Sequence, residues 1–425
     1  MTTTESARAR VLVILASLVL ALMLLTPAGA AASIKTKITA ALAAQRLAGS
    51  GTSVGVYDLT AKRCLYTLRW DVLRLPGSNE KLVTSATALA NWPATYRFGT
   101  QLFLEANGPD ADGVLAGSVY LRGLGDPSLS TSAFQTGHLG MRTSNLRDFV
   151  ARLQALGMTK ISGRVVADDG YFDRSRTVSS WRPSMTAFCG PLSALTLNEG
   201  FGPSGDYVED PSLWAAAKLT RLLRSAGITV THAAARGTVP ATATLVYTER
   251  SATLGRLLAA MNKPSDNFFA EELLKGLGAG FGGAGTTAAG AGVANQWLKS
   301  IGVTQGFRIR DGSGLSYADR LSAHAILKIL GAMTRRRDFT VFWSSLAVAG
   351  VDGTLKDRMK GTRAAHNVHA KTGTLAAASN LSGYVTSANR HELTFSILMN
   401  GSGLPLARAQ AAQDAIAKIL AGSKP

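Results

Sequence analysis

The amino-acid sequence changes in character twice, and this pattern limits the fold more than any other feature. Before about residue 100 and after about residue 245, long Ala/Leu-rich segments of helical period alternate with apolar strands. Between these points, short apolar runs are separated by turns that contain Gly, Asp and Pro. We therefore predict one helix-and-sheet domain, of class α/β (α+β), built from residues 33–100 and 246–425. A strand-rich domain of residues 101–245 is inserted into it.

Individual segments give this prediction its detail. A helix is predicted over 33–48, and a strand hairpin over 52–59 and 64–68. Strands are also expected at 118–122 and 164–167. In the last part of the chain, the pattern predicts helices and a strand pair, followed by a final helix: helices 254–261, 267–277, 290–300 and 323–334, strands 382–386 and 392–399, and helix 406–420.

The first thirty residues have the pattern of an export signal. Arg8 and Arg10 precede an uninterrupted apolar run over 11–25, and small residues follow at 28–32. A basic start, an apolar core and an Ala-x-Ala site are typical of a cleavable signal peptide, here residues 1–30. The run is shorter than the roughly 20 residues of a membrane span, but the Ala-rich tail leaves an uncleaved anchor as an alternative. In both cases we expect the rest of the chain in the periplasm, the cell wall or the medium.

The chain is strongly basic, with 45 Lys and Arg against 27 Asp and Glu, a net charge of +18. Such a charge favours an anionic partner, and export argues against a nucleic acid. We therefore expect association with the anionic cell wall or a membrane surface. Cys64 and Cys189 are too few for a disulfide scaffold or a structural zinc site. Export allows these two thiols to pair, and the sequence does not decide whether they do.

The first candidate catalytic motif is Ser78-Asn79-Glu80-Lys81, which follows Pro76-Gly77. This context predicts that Ser78 lies in the first turn of a helix, so that Ser78 and Lys81 share one helix face. A lysine whose pKa is lowered by burial and nearby cations can take the proton of a serine hydroxyl. The helix N-terminus would stabilise an oxyanion formed there. Alone, Ser-x-x-Lys is equally typical of an exposed helix start.

The second motif is Ser265-Asp266-Asn267, which follows Pro264 and precedes an apolar helix. Ser265 is a candidate for passing a proton to a leaving group. The side chain of Asn267 is a candidate for holding Lys81 and a substrate amide. An ordinary helix N-cap is the alternative explanation for these residues.

The third motif is Lys371-Thr372-Gly373-Thr374, which the surrounding sequence places on an edge strand. Lys371 and the hydroxyls of Thr372 and Thr374 can bind a carboxylate. Gly373 would let a ligand lie close to the backbone. The backbone N–H groups of Thr374 and Ser78 would together form an oxyanion hole.

Together, and in this order, the three motifs are the signature of penicillin-binding proteins and class A β-lactamases. The long separation of Ser78 from Ser265 resembles the D-alanyl-D-alanine carboxypeptidase/endopeptidase family, the low-molecular-mass class C penicillin-binding proteins of the serine β-lactamase/transpeptidase-like superfamily. The resemblance extends over residues 35–420. Segments outside the first two motifs also resemble that family: 120–127, 167–173, 191–195, 311–316, 349–355 and 369–374.

This resemblance implies a penicillin-binding/β-lactamase-like domain, with an antiparallel sheet between two layers of helices. It implies that Ser78 attacks the D-Ala-D-Ala bond of a peptidoglycan stem peptide, with Lys81 as base. Ser265 and Asn267 would assist the leaving amine, and water would release the acyl group. A β-lactam antibiotic would acylate the same serine. We expect no metal and no cofactor.

Two features leave substrate and activity open. Tyr317 stands where members of the resembled family often carry a basic residue, with Arg320 nearby, so the stem-peptide side chain is not identified. Asp168 or Asp169 is a candidate for facing a diamino acid, or else caps a turn.

The alternative functions are a β-lactamase and a cell-wall-binding protein that has lost catalysis. For a β-lactamase, Glu199 would be the candidate for deacylation. The intact motifs argue against the loss of catalysis. His366 and His369 have the spacing of metal ligands, but no further ligands accompany them, so we expect them at the surface.

Overall fold

A computed structural model of the chain describes residues 33–105 and 108–425. The predicted signal peptide lies outside the described residues. Among these residues, no helix combines the length and the apolar character that crossing a membrane requires.

The strands, in chain order, are β1 Thr52–Asp58, β2 Arg63–Leu68, β3 Gly99–Leu104, β4 Val114–Leu115, β5 Val119–Gly123, β6 Lys160–Ile161, β7 Val165–Asp168, β8 Thr229–Val230, β9 Ala235–Arg236, β10 Thr244–Arg250, β11 Phe307–Arg308, β12 Arg320–Leu321, β13 Ala347–Val348, β14 His369–Leu375, β15 Ala378–Thr386 and β16 Glu392–Asn400.

The helices are α1 Ile34–Ala44, α2 Glu80–Asn91, α3 Ser132–Phe134, α4 Leu146–Ala155, α5 Pro211–Ser225, α6 Leu254–Asn262, α7 Asn267–Phe281, α8 Thr287–Ser300, α9 Ala323–Met333, α10 Phe339–Ser345 and α11 Leu406–Gly422. The helical turns are Gly77–Asn79, Gln135–Leu139, Pro183–Phe188, Asn198–Gly200 and Gly353–Leu355.

One six-stranded antiparallel sheet contains strands from both ends of the chain, in the order β13-β14-β15-β16-β1-β2. Strand β1 pairs with β16 along its whole length, from Thr52 opposite Met399 to Asp58 opposite Leu393. Side chains alternate across a strand, so each strand supplies both faces of this sheet. The sheet therefore confirms the prediction that both chain ends build one domain.

Helices cover both faces of this sheet. On one face, α1 and α11 bury Ile38 and Ile416 against Val54, Phe395 and Ile397. On the other face, α2, α6, α7, α8 and α9 form the larger apolar core, to which the sheet contributes Tyr384 and Leu398. Helix α7 is buried around most of its circumference because it runs through this core, and Glu271, Glu272 and Lys275 are buried with its apolar residues.

The inserted region contains two further sheets and its own core. The larger sheet has the strand order β10-β3-β5-β7-β9, and β4, β6 and β8 form a small parallel sheet. Phe149 of α4 and Leu219 of α5 are fully buried between them. We propose that this domain extends over about residues 101–245, because β3 and β10 pair where the chain enters and leaves it. Helices α4 and α5 were not anticipated.

The predicted helices and strands at both chain ends are confirmed, with small shifts of their limits. Cys64 and Cys189 do not pair. Cys64 lies on the edge strand β2, whereas Cys189 is buried in the helical core, so the two thiols belong to different layers.

Candidate active site

Ser78 lies in a tight turn that leads into helix α2. Gly77 adopts a left-handed backbone conformation, with φ of +48°, which glycine reaches without steric cost. The helical turn Gly77–Asn79 continues directly into α2, as the Pro-Gly pair predicts. This arrangement leaves Ser78 partly exposed at the start of the helix. Lys81, one turn later, is fully buried below it.

The ammonium group of Lys81 has three hydrogen-bond acceptors. Its Nζ lies 3.2 Å from Ser78 Oγ, 2.7 Å from Asn267 Oδ1 and 2.8 Å from the backbone oxygen of Ser313. A lysine ammonium has three protons to donate, so these contacts use all of them. The geometry therefore fixes Nζ beside the serine hydroxyl and prevents rotation away from it.

Burial lowers the pKa of Lys81 to about 8, because the charged form loses its hydration. The carboxyl groups of Asp266, Asp311 and Glu271 oppose this shift. Burial, together with Asp311, raises the pKa of Glu271 to about 8, and burial also raises that of Glu80 far above its ordinary range. Protonation of these acids reduces the negative charge that would otherwise hold the proton on Lys81.

A loop that begins at Asp311 supplies the third acceptor. Asp311 accepts hydrogen bonds from the backbone N–H groups of Gly314 and Ser316, each at 2.7 Å, and from the indole of Trp181. Glu271 of α7 accepts from the N–H of Ser313 at 2.8 Å. These bonds hold the Ser313 carbonyl against Lys81. The sequence did not predict that this loop binds Lys81, because every residue has a backbone oxygen and no residue type marks one that serves as a specific acceptor.

In the second motif, the side chains have separate tasks. Asp266 is the N-cap of α7, where its Oδ1 accepts from the N–H of Phe269 at 2.8 Å. Asn267 is thereby free to bind Lys81 through Oδ1 and to donate through Nδ2 to the Phe188 carbonyl at 2.9 Å. Ser265 has φ of +71°, an unfavourable conformation for serine of the kind that clusters at functional sites.

The third motif lies on β14, beyond the two residues where β13 pairs with it. That side of β14 is therefore an open edge from Lys371 onward, as predicted. Thr372 Oγ1 bonds to Thr354 Oγ1 at 2.8 Å. Lys371 is fully buried, and its Nζ donates to the Thr372 carbonyl at 3.1 Å.

Gly373 brings β14 close to the turn that carries Ser78. A Cβ atom at this position would lie 2.6 Å from the Pro76 oxygen and 2.8 Å from Asn79 Nδ2. The backbone nitrogen of Thr374 is close to Gly77, since a Cβ atom added to Gly77 would lie 3.3 Å from that nitrogen. The absent side chain thus serves the packing of strand against turn, and not the approach of a ligand as the sequence suggested.

Gly373→Ala is expected to lower the acylation rate about a hundredfold, because the added methyl group must displace the Ser78 turn. The rate can be followed by stopped-flow fluorescence with a labelled penicillin. Gly292→Ala is the matched control, since a Cβ on this α8 residue meets nothing within 4 Å. Equal rates in Gly373→Ala and the wild type would show that this contact does not position Ser78.

A cavity of about 400 Å³ opens over Ser78. Side chains from all three motifs line it, as do residues from the inserted region and from the loop that begins at Asp311. The lining residues are Ser78, Met185, Phe188, Ser265, Asn267, Gly314, Leu315, Tyr317, Thr354, Thr372, Thr374, Leu375 and Ala376. Neither Lys81 nor Lys371 is among them, so both side chains lie behind the cavity wall.

Tyr317 lines this cavity, and the guanidinium of Arg182 stacks over its ring at 3.7 Å from the ring centroid. Arg182 was not anticipated, because it comes from the inserted region. Arg320 donates to the backbone oxygen of Tyr317 and serves the loop itself. The basic group that covers the Tyr317 ring therefore comes from a different segment from the one that the sequence suggested.

Asp168 and Asp169 are not positioned to bind a substrate. Both are buried. Asp168 accepts from the backbone N–H groups of Gly170 and Val239 at 3.0 Å. Asp169 pairs with Arg176 at 2.7 Å. Asp168 thus holds the backbone in place, which was the alternative explanation, and Asp169 binds the side chains of Arg176 and Ser193.

Two further expectations are corrected by the structure. Glu199 does not line the cavity above Ser78, so it is not placed to activate water for deacylation. His366 is exposed, as expected, but His369 is buried and stacks on Trp343 with ring centroids 3.5 Å apart. Burial lowers the pKa of His369 to about 4, so this side chain is neutral. Its position on β14, facing the core, explains why the surface prediction was wrong.

Comparison with known proteins gives concordant results. The model of the D-Ala-D-Ala carboxypeptidase 3 (S13) family matches residues 34–204 and 203–423. A D-alanyl-D-alanine carboxypeptidase of Actinomadura sp. is 31% identical, over 97% of this chain and 90% of that protein.

Two solved structures share the fold. Penicillin binding protein 4 (dacB) of Haemophilus influenzae has a TM-score of 0.75 at 21% identity, over 89% of this chain and 97% of that one. A penicillin G-acylated predatory endopeptidase of Bdellovibrio bacteriovorus has a TM-score of 0.52 at 19% identity, over 86% and 90% of the two chains.

Proposed function

The chain belongs to the D-Ala-D-Ala carboxypeptidase 3 (S13) family and is a serine-type D-Ala-D-Ala carboxypeptidase, and we propose that Ser78 and Lys81 carry its reaction. The observation that supports these roles most strongly is the contact of a fully buried lysine with the serine hydroxyl, 3.2 Å from Nζ to Oγ. The substrate is the D-Ala-D-Ala end of a peptidoglycan stem peptide.

In the first step, Lys81 Nζ accepts the proton of Ser78 Oγ as this oxygen attacks the carbonyl carbon of the penultimate D-Ala. The carbonyl oxygen becomes an oxyanion, which the backbone N–H groups of Ser78 and Thr374 stabilise. Collapse of the tetrahedral intermediate breaks the C–N bond. The leaving amine receives a proton from Lys81 through Ser265, while Asn267 keeps Lys81 in position.

In the second step, water attacks the ester of Ser78 and releases the shortened peptide. The proton passes through Lys81 to Ser78 Oγ, which restores the enzyme. We assign the substrate carboxylate to the hydroxyls of Thr372 and Thr374, which line the cavity. Lys371 contributes from behind them. This mechanism involves neither a metal ion nor a cofactor.

The rate of acylation is expected to rise with pH. Because the neutral amine of Lys81 is the base and its pKa is about 8, kcat/KM should rise about tenfold per pH unit below that value. At pH values above this pKa, kcat/KM should become constant. The measurement is the rate of D-Ala release between about pH 5.5 and about pH 9.5, a range that spans the pKa of the buried lysine. A rate that does not change over this range would contradict the role of Lys81 as the base.

The test of the function is the release of D-alanine from a peptide ending in D-Ala-D-Ala, compared with the same peptide ending in D-Ala-L-Ala. We expect turnover of the first peptide alone. A β-lactam antibiotic should block it by acylating Ser78, with slow recovery. Rapid hydrolysis of the antibiotic without D-Ala release would instead indicate a β-lactamase. Absence of both activities would indicate a wall-binding protein without catalysis.

We also propose that the enzyme is exported and acts at the cell wall, where it cleaves peptide cross-links as well as terminal D-Ala. The basic and apolar pattern of residues 1–30 and the net charge of +18 support this location. A cross-linked stem-peptide dimer, separated from its products by chromatography, tests the endopeptidase activity. N-terminal sequencing of the exported protein tests cleavage of the signal.

A further inference from the structure

Three potential metal ligands come together beside the second motif, in a cluster that the catalytic mechanism does not use. They are His138, Glu199 and Asp266, and each offers one ligand atom within 4.8 Å of the other two. Asp266 stands between Ser265 and Asn267 in the chain, whereas His138 and Glu199 belong to the inserted region. No spacing in the sequence reveals the cluster, because its members are far apart along the chain.

One of these ligand atoms is buried and makes no hydrogen bond to any described residue. The side chain of Glu199 is 6% exposed, and its Oε1 has no hydrogen-bond partner among the described residues. This atom faces Nε2 of His138 at 3.5 Å. A buried carboxylate is stable only when its charge is compensated, and a cation bound at this point would lie closer to Glu199 Oε1 than the His138 ring at 3.5 Å.

The other two side chains are held in orientations that suit a shared ligand. The ring of His138 stacks on Phe134, with centroids 4.4 Å apart, and meets the edge of Phe201. Asp266 accepts a hydrogen bond from the N–H of Phe269 through its Oδ1, which leaves its Oδ2 for a ligand.

From this cluster we propose a binding site for a divalent first-row transition metal of the Zn²⁺ type, with His138 Nε2 and one carboxylate oxygen each from Glu199 and Asp266 as ligands. One imidazole nitrogen and two carboxylate oxygens form a donor set that zinc accepts. The 3.5 Å between Nε2 and Oε1 is close to the roughly 3.3 Å between two ligands of a tetrahedral zinc ion.

A cavity of about 430 Å³, lined by all three side chains, gives the ion a path from solvent and room for a bound water. Its other basic residues are Arg256 and Lys263, and Lys263 is engaged by Asp352 at 2.5 Å. A metal ion here would join the inserted region to the segment that carries Ser265 and Asn267. The site does not depend on the proposed hydrolysis, since none of its ligands takes part in that reaction.

The test is titration of the chelator-treated full chain with ZnCl₂ by calorimetry, and with CoCl₂ by visible absorption. We expect one equivalent of either metal, d–d absorption for cobalt, and a rise in the thermal midpoint with zinc. Glu199→Gln keeps the shape of the side chain but removes its charge, and should weaken binding more than about tenfold. His138→Ala should do the same, and His232→Ala, at an exposed histidine elsewhere, should bind like the wild type.

If all variants bind equally, the metal lies elsewhere and the proposal is wrong. Absence of equimolar binding by the wild type would also overturn it. The side chain of His138 is 47% exposed, so its replacement leaves the fold intact and decides the matter even if Glu199→Gln does not fold. A thermal unfolding curve for each metal-free variant confirms that the protein tested is folded.

Discussion

Ser78→Ala is expected to lower kcat/KM for D-Ala release by about 10⁴-fold or more, because it removes the hydroxyl that we propose forms the acyl-enzyme. The change should affect stability little, since the Ser78 side chain is partly exposed and Lys81 keeps its bonds to Asn267 and to the Ser313 carbonyl. D-Ala release from a peptide ending in D-Ala-D-Ala is the measurement, at matched thermal midpoints. Ser344→Ala, at an exposed serine of α10, is the matched control and should retain full activity.

Residual activity above about one per cent of the wild type would contradict the assignment of Ser78 as nucleophile. Ser265 also lines the cavity and is the serine that would then have to be examined. The double variant Ser78→Ala/Ser265→Ala identifies the source of any such residual activity. If Ser265 carries the residual reaction, the double variant loses the activity that Ser78→Ala retains.

Lys81→Met is expected to slow acylation by about 10²- to 10⁴-fold, the range typical of a general base. Methionine keeps the unbranched stem in its buried setting but cannot accept the proton of Ser78. The rise of the rate through a pKa of about 8 should disappear in the same variant. Stopped-flow fluorescence with a labelled penicillin measures both effects.

Lys275→Met provides the control for the loss of a buried lysine. Lys275 is also fully buried, but it pairs with Asp173 and donates to the Ser175 carbonyl at 2.9 Å, away from the cavity. This variant should lose stability and keep the acylation rate. If Lys81→Met acylates at the wild-type rate, or if Lys275→Met is equally slow, Lys81 is not the base.

The features of the site that depend on residues close together in the chain were predicted from the sequence. Proline and glycine before Ser78 predict a helix start, and the spacing of Ser78 and Lys81 on one face appears as a 3.2 Å contact. Likewise, the strand pair that became β15 and β16 was evident from apolar runs separated by a turn. Such features depend on neighbouring residues, which the sequence displays directly.

Contacts between residues that are far apart in the chain were not predicted from the sequence. The Ser313 carbonyl binds Lys81, and Arg182 covers Tyr317, yet neither contact leaves a local pattern. His369 appeared to be a surface residue, but β14 turns it toward Trp343 and the core. Burial depends on which face of a strand meets the next layer, and a single sequence does not specify this for isolated polar residues.

The most direct measurement of the central claim is the intact mass of the wild type and of Ser78→Ala after exposure to penicillin, followed by peptide mapping. The account predicts a single, slowly lost adduct on the wild type, located on the peptide that contains Ser78, and none on the variant. An adduct on the variant, or one mapped to a peptide without Ser78, would contradict it.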